Sequence, residues 1–357
     1  MSASSVTGSG TSNLPAPDIA ASGSCAADTS AGAERPLVVG LGEALIRLTA
    51  QQRVLLERAT ALTVDVGGAE LNALVALAQL GCRTRWVSRL PQSPLGRHIA
   101  GHARRHGVDL EVGWDNGSRA GLYFVEEGSA PRPTQVLYDR AGSAASRLQP
   151  GMFDWPRVLR SAAVLHCSGI TCALGPDAEK AVLEAFEVAA GAGVTVSFDV
   201  NYRSQLWPPQ TAAETLRRVL PFVDVLFASP FDLGLLAGKR ADAGLAEEVR
   251  QSFGLALVVV RTQRELSPGV IGVNVDAFGS DQRASGSAQA TVLDAFGAGD
   301  AAVAAFLACW LSKAPLEQAA AEAAKASAYM YTIPGDTWLR PPDGVDADGS
   351  RLGRIIR

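Results

Sequence analysis

Residues 291–311 read TVLDAFGAGDAAVAAFLACWL. Gly297-Ala298-Gly299-Asp300 stands directly before a long apolar run with helical periodicity, which places Asp300 in the first turn of a helix over 299–311. First-turn amides have no intrahelical partner, and the macrodipole adds partial positive charge there. The helix start is therefore an anion site, with phosphate as its natural ligand. The glycines let such a ligand approach the backbone closely. An acid here repels phosphate unless a metal intervenes or the acid serves as a base; the plain alternative is that Asp300 only complements the helix dipole.

Upstream of this stretch the pattern is regular: strand 163–168, helix 177–191, strand 194–200, helix 211–220, strand 222–228, helices 231–237 and 243–252, strand 256–261. Such a βαβ series predicts a largely parallel sheet with helices on both faces, and ligands in these sheets bind outside the carboxyl ends of the strands. Asp199, Asn201 and Arg203 fall at one of those ends. Turn chemistry alone explains a polar triple, yet an arginine beside an anion site suits phosphate. Residues 262–290 read as a variable patch holding strands at 270–275 and 288–292. A second helix, 316–330, follows the one at 299–311 with no strand between, so GAGDAA does not open a dinucleotide-binding βαβ unit.

The amino-terminal half begins with LVVGLG, 37–42, a short apolar run of buried-strand type. A dinucleotide fingerprint is rejected there, because Leu45 stands where its third glycine belongs and 46–49 alternates like a strand. Gly67-Gly68-Ala69-Glu70-Leu71-Asn72 is a second glycine-bearing helix entrance, and Gly81 suits the helix's C′ stop. It reads equally as a tight turn or as a place where a polar small molecule approaches the backbone, with Asn72 able to hydrogen-bond hydroxyls. Residues 84–90 read as a strand and 97–106 as a helix. The runs 121–126 and 135–140 should pair antiparallel and, with 46–49 and 62–66, form a small separate sheet presenting Tyr123, Tyr138 and Arg140.

Composition narrows the function classes. A net charge of −4 argues against a general nucleic-acid binder. No stretch has the roughly 18 apolar residues of a spanning helix, which argues against a membrane protein. The sole Gly-Lys pair, Gly238-Lys239, lacks the first glycine and the Ser or Thr of a phosphate-binding P-loop. Residues 1–35, rich in Ser, Ala, Gly and Thr without a period, read as a disordered leader, and the folded part as 36–357. Five cysteines at scattered spacings favour the cytoplasm over a disulfide framework, and Cys167 with Cys172 cannot close a zinc site. His98, His102 and His106 at i, i+4, i+8 read as a solvated face among arginines rather than a metal stripe.

From about residue 37 to its end, the chain resembles the ribokinase-like (PfkB) family of sugar kinases. Two motifs carry the resemblance, Gly67-Gly68-Ala69-Glu70-Leu71-Asn72 and Asp294-Ala-Phe-Gly297-Ala298-Gly299-Asp300, in the family's order and at about its separation. Finer features are similar to the 2-keto-3-deoxygluconate kinase branch: GLYFVEE at 121–127, YDRAGSAASRL at 138–148, FDVNYRSQLW at 198–207, TIPGD at 332–336 and a GRIIR ending. The resemblance implies a three-layer α/β/α fold with a mostly parallel central sheet and a small β-sheet lid, formed by parts of 45–66 and 119–141. It implies ATP and Mg2+ as cofactors, Asp300 as the base, and Gly297, Ala298 and Gly299 amides as the phosphate cradle. Substrate would be held by Gly67, Gly68, Asn72, Tyr123, Tyr138, Arg140, Arg203 and Asp336. Asn201, Arg203, Ser229, Gly297 and Gly299 would face the nucleotide, and Asp232 the metal.

Three departures stand out, one being that no glycine-rich β-turn for the adenine side is evident, so no adenine-contacting residues are assigned. The family's Asn-x-x-Glu is Ser229-Pro230-Phe231-Asp232, and its Lys/Thr-x-Gly turn is replaced by Arg261-Thr262-Gln263-Arg264-Glu265. The implied activity is ATP-dependent phosphorylation of a primary hydroxyl on a small sugar or sugar acid, foremost 2-keto-3-deoxygluconate. The alternatives are a fructokinase- or ribokinase-type enzyme and a sugar- or nucleotide-responsive binding protein on the same fold. Lid sheets of this kind also suggest a homo-oligomer.

Overall fold

In β1 (Leu37–Leu41), Val38 joins one apolar cluster while Leu37, Val39 and Leu41 join another. That is the period-2 signature of a strand buried on both faces. The computed structural model describes residues 35–129 and 131–341; the expected leader up to residue 34 and the GRIIR ending lie outside the described residues. In chain order, β1 is followed by β2 (Leu45–Ala50), β3 (Leu62–Gly67), α1 (Ala69–Gln79), β4 (Arg83–Pro91), α2 (Pro94–Arg105), β5 (Val108–Asp115), β6 (Leu122–Glu126) and β7 (Gln135–Asp139). Then come α3 (Trp155–Val158), β8 (Ala162–Ser168), α4 (Gly169–Cys172), α5 (Pro176–Gly191), β9 (Thr195–Asp199), α6 (Pro209–Val219), β10 (Val225–Ala228), α7 (Pro230–Ala237) and α8 (Leu245–Phe253). The described chain closes with β11 (Leu257–Ser267), β12 (Val270–Phe278), β13 (Arg283–Thr291), α9 (Ala298–Leu311) and α10 (Leu316–Met330).

The central sheet has the order β13-β12-β11-β10-β9-β8-β1-β4-β5. It is parallel from β11 to β5, and β12 and β13 extend it antiparallel. The alternation seen in β1 recurs in β10, where Val225 and Phe227 face one cluster and Leu226 and Ala228 the other. Helices α1, α2, α9 and α10 fill the first cluster, with Leu74, Ile99, Phe306 and Ala323 among their contributions. Helices α5 to α8 fill the second through Phe186, Leu216, Leu236 and Val249. This is the expected three-layer α/β/α arrangement. A separate four-stranded sheet, β3-β2-β6-β7, joins 62–67 and 45–50 antiparallel, β2 to β6 parallel, and β6 to β7 antiparallel.

The structure differs from the sequence reading at several places: β12 runs on to Phe278 and β13 begins at Arg283 rather than 288, α3 and α4 are additional short helices, and four further details matter. Strand β5 was not anticipated, because 108–115 is only partly buried and carries Asp109 and Glu111 between its apolar residues. Strand β11 does not stop at 261 but runs on to Ser267, its polar half held by pairing with β12. Residues 220–222 form a 3-10 turn, so the strand expected from 222 starts at Val225. The histidine stripe on α2 is not a solvated face: His102 is buried, its Nε2 lies 3.4 Å from Thr337 Oγ1, and its ring centroid is 4.7 Å from that of His106. Burial, with His106 and Arg105 beside it, pulls His102 down to about 4.

Candidate active site

The entrance to α9 is built by a left-handed glycine and a buried acid. Gly297, the residue before the helix, has φ +72°. A Cβ there would lie 2.5 Å from the backbone oxygen of Asp336, so both conformation and space require glycine. Asp294 fastens the loop from within. Its Oδ1 accepts from the amides of Ala295 (2.7 Å) and Phe296 (3.3 Å), and its Oδ2 from the Gly335 amide (2.9 Å) and Arg47 Nη2 (2.7 Å). The loop that leads into α9 is therefore pinned to Arg47 and to the Gly335 amide.

Asp300 lies in that first turn without capping it. Instead Asn72 Nδ2 donates to its Oδ2 at 2.8 Å, and Asn72 Oδ1 accepts from the Gly68 amide at 3.3 Å. One side chain, 5 % exposed, thus joins the two glycine-bearing helix entrances across 228 residues of sequence. Burial pushes the Asp300 carboxyl up to about 7, against the Asn72 hydrogen bond and the positive charge of Arg203. A group poised there exchanges a proton near neutrality, which a dipole-complementing carboxylate has no need to do.

At the opposite end, β3 runs into α1 through Gly67-Gly68. A Cβ on Gly67 would fall 2.3 Å from Tyr123 Oη and 2.4 Å from Asp336 Oδ2, and one on Gly68 would fall 2.3 Å from the Glu43 carbonyl oxygen. Tyr123 Oη donates to Asp336 Oδ1 at 2.7 Å, and the Tyr123 ring stacks on Tyr138 at 5.7 Å. Arg140 does not stand free. Its Nε donates to Glu43 Oε2 at 2.9 Å and its Nη2 to the same oxygen, while Ser143 Oγ donates to Glu43 Oε1 at 2.6 Å. Arg203, by contrast, is exposed and makes no salt bridge among the described residues.

The strand ends supply the acids. Asp199 closes β9, and Asn201 follows it with φ +41°, a conformation asparagine tolerates better than most residues; its amide donates to Asp199 Oδ1 at 3.1 Å. Ser229 and Asp232 form a reciprocal capping box on α7: Asp232 Oδ2 accepts from Ser229 N (2.8 Å) and Oγ (2.7 Å), and Asp232 N donates to Ser229 Oγ at 3.2 Å. Burial, then the charges of Asp232 and Asp300, push Asp199 up to about 8, opposed by Arg203 and Arg261. Arg261 reaches toward α9 from β11; its Nη2 lies 3.9 Å from where a Gly299 Cβ would be.

Glu43, Asp199 and Arg261 line one cleft of about 650 Å³ together with the expected site residues, while Arg47, Asp294 and Ser143 stand behind its wall. Each residue expected to bind substrate, nucleotide or metal, or to take part in transfer, contributes to its wall except Ala298, whose side chain is buried and whose amide belongs to the helix start. Sequence reasoning missed Glu43, Arg47 and the loop-fastening role of Asp294. Glu43 has a visible signal, since a carboxylate directly after the Gly42 strand end sits where ligands or their holders sit. Arg47 has none. No cluster of three or more His, Cys, Asp or Glu suited to holding a metal occurs among the described residues. No described helix is long and apolar enough to cross a membrane.

Comparison with known proteins agrees with this geometry. Residues 35–338 match the pfkB family of carbohydrate kinases. The chain is 37 % identical over 313 residues to the 2-dehydro-3-deoxygalactonokinase of Haloferax volcanii, covering 87 % of this chain and 95 % of that protein. It is 33 % identical over 308 residues to the 2-dehydro-3-deoxygluconokinase of Thermoproteus tenax, covering 85 % and 91 %. The crystal structure of 2-dehydro-3-deoxygluconokinase from Thermotoga maritima superposes with a TM-score of 0.80 at 35 % identity, over 85 % of this chain and 95 % of that one. With its fold, its two motifs and these relatives in agreement, the chain belongs to the pfkB family and is a carbohydrate kinase.

Proposed function

We propose that this kinase phosphorylates the primary hydroxyl of a 2-keto-3-deoxy sugar acid, foremost 2-keto-3-deoxygluconate, at the expense of ATP. The observation that carries the reading is the Asn72–Asp300 contact, which sets a near-neutral carboxyl between the Gly67 pocket and the amides of α9. Sugar lies at Gly67 and Gly68, its hydroxyls met by Asn72, Tyr123 and Asp336. Arg203, free of a carboxylate partner, takes the acid group, and Arg140 approaches it with Glu43 already balancing its charge. Tyr138 closes the sugar side. The transferable phosphate lies at Gly297, Ala298 and Gly299, whose amides neutralise charge that develops in transfer. Asp300 accepts the hydroxyl proton as oxygen attacks phosphorus. Asn201, Ser229 and Arg203 face the nucleotide side.

The acids of the cleft also suit magnesium. Burial and then repulsion from Asp232 and Asp300 raise Asp199; a hard cation relieves that repulsion, and all the donors are oxygen. Asp199 and Asp232 are the residues that would hold the ion, through water where the Asp232 capping box already occupies Oδ2, and the ion would screen phosphate charge. The small sheet serves as a lid that excludes water from the sugar. Its outer face, with Val64 48 % and Leu137 64 % exposed, is offered to a second copy of the chain.

A coupled ADP-release assay over sugars with and without a carboxylate tests the reading. Turnover should be highest for 2-keto-3-deoxygluconate or its galacto epimer. Preference for fructose or ribose would reassign the substrate.

A further inference from the structure

Arg47 belongs to neither motif, is 1 % exposed, and touches both ends of the cleft. From β2 its three nitrogens reach three partners: Nη1 donates to Asp336 Oδ1 (2.7 Å), Nη2 to Asp294 Oδ2 (2.7 Å) and Nε to Thr49 Oγ1 (2.9 Å). The guanidinium also lies over the Phe296 ring, 4.4 Å from its centroid. Only a planar fork satisfies these directions at once. Apolar residues of similar volume would fill the space without desolvating charge, so stability alone does not account for a buried ionic triad. Its place in the site does.

We propose that Arg47 is a positioning residue: from the small sheet it fixes Asp336 toward the sugar and Asp294 beneath the phosphate loop, so that sugar recognition and phosphoryl transfer both depend on a side chain that touches neither substrate. The proposal rests on the sugar-kinase reading for the identity of the ligand at Gly67. Asp336 Oδ1 is occupied by Arg47 and Tyr123, which leaves Oδ2, the atom beside Gly67, to accept from a hydroxyl. Asp294 holds the Ala295 and Phe296 amides, and through them the approach to Gly297.

The groups facing Asp336 are Arg47 from β2, Tyr123 from β6, Asp294 from the loop and Asp300 from α9. Burial already raises the Asp336 carboxyl, and Arg47 is the leading influence that opposes it. Without Arg47 the acid holds its proton to higher pH and loses an acceptor as pH falls.

The test uses the full chain with Arg47→Met and Arg47→Lys, assayed with ATP and 2-keto-3-deoxygluconate between roughly pH 6 and pH 8. Calorimetry with a non-hydrolysable ATP analogue accompanies the assays. Arg47→Met should lower kcat about 10- to 100-fold and raise the sugar KM about 10-fold, the KM climbing further toward acid. Arg47→Lys, which meets one carboxylate at a time, should recover part of both losses. A folded Arg47→Met with wild-type kcat, KM and pH profile, and only a lower Tm, overturns the proposal. Should that variant not fold, Arg47→Lys decides alone, and an unchanged kcat, sugar KM and pH profile overturns it equally. If the wild-type chain turns over no sugar acid, the substrate reading fails separately. Calorimetry then judges the phosphate loop, and equal analogue affinity in wild type and Arg47→Lys counts against the tie.

Discussion

At the entrance to α1, Gly68 has φ 179°, an extended backbone any residue adopts, and glycine is required only because the Glu43 carbonyl would meet a Cβ at 2.3 Å. At the entrance to α9, Gly297 has φ +72° as well as the Asp336 carbonyl at 2.5 Å. The first entrance is shaped by its neighbours, and the second also by its own backbone. Asp336 serves both, its side chain crowding Gly67 and its main chain crowding Gly297. On the proposed reading, the sugar end is thus adjustable through side chains, whereas the phosphate end is set by peptide geometry.

Replacing the acid between the two ends is the severest way to break this contrast. Asp300→Asn should bind sugar and nucleotide yet lose on the order of 10²–10⁴-fold in kcat, the usual effect of removing a positioned base. Near-normal turnover would remove Asp300 from that role. Next come the glycines. Gly297→Ala should cost about 1–3 kcal/mol in stability and lower kcat roughly 10- to 100-fold, because a strained φ and a backbone clash displace the amides. Gly67→Ala meets only the ends of two side chains, and should raise the sugar KM about 10-fold while leaving the KM for ATP in place. Steady-state kinetics in both substrates separate the two, and the contrast fails if both variants move the same constant.

The mildest test is pH. A base must be ionised, and Asp300 is pushed up to about 7, so kcat/KM for the sugar should rise with pH and level off above that value. Below it, the loss should approach about tenfold per pH unit. A profile flat down to about pH 5 would mean that a different group limits the rate.

Both helix entrances were legible because their glycines, acid and amide lie within a few residues of the helices they open. The same holds for the parallel sheet, whose strands and helices each show their own period. Arg47 was not legible, since its carboxylate partners lie 247 and 289 residues away and its neighbours read as an ordinary alternating strand. The polar half of β11 beyond Arg261 reads as a variable patch because Gln263, Arg264 and Glu265 are weak strand formers. Pairing with β12 overrides that preference. His102 was misplaced for a similar reason: helical spacing shows which side chains share a face, but not that the segment around Thr337 packs over this one.

Helix α9 is buried almost without interruption from Ala301 to Cys309, beneath α10 and against the sheet, with Phe306 edge-on to Phe227. The small sheet sends Ile46 and Val66 into the same apolar cluster as α9, and on its other face Leu45, Tyr123 and Val125 form a small buried cluster of their own. A helix so enclosed cannot slide or tilt without opening the buried cluster it shares with α10 and the sheet. On the proposed reading, Asp300 is therefore a stationary reference point for the proton it accepts. On that reading, variation among acceptable sugars should be sought in the small sheet, whose Leu45, Tyr123 and Tyr138 line the cleft, rather than in the helix.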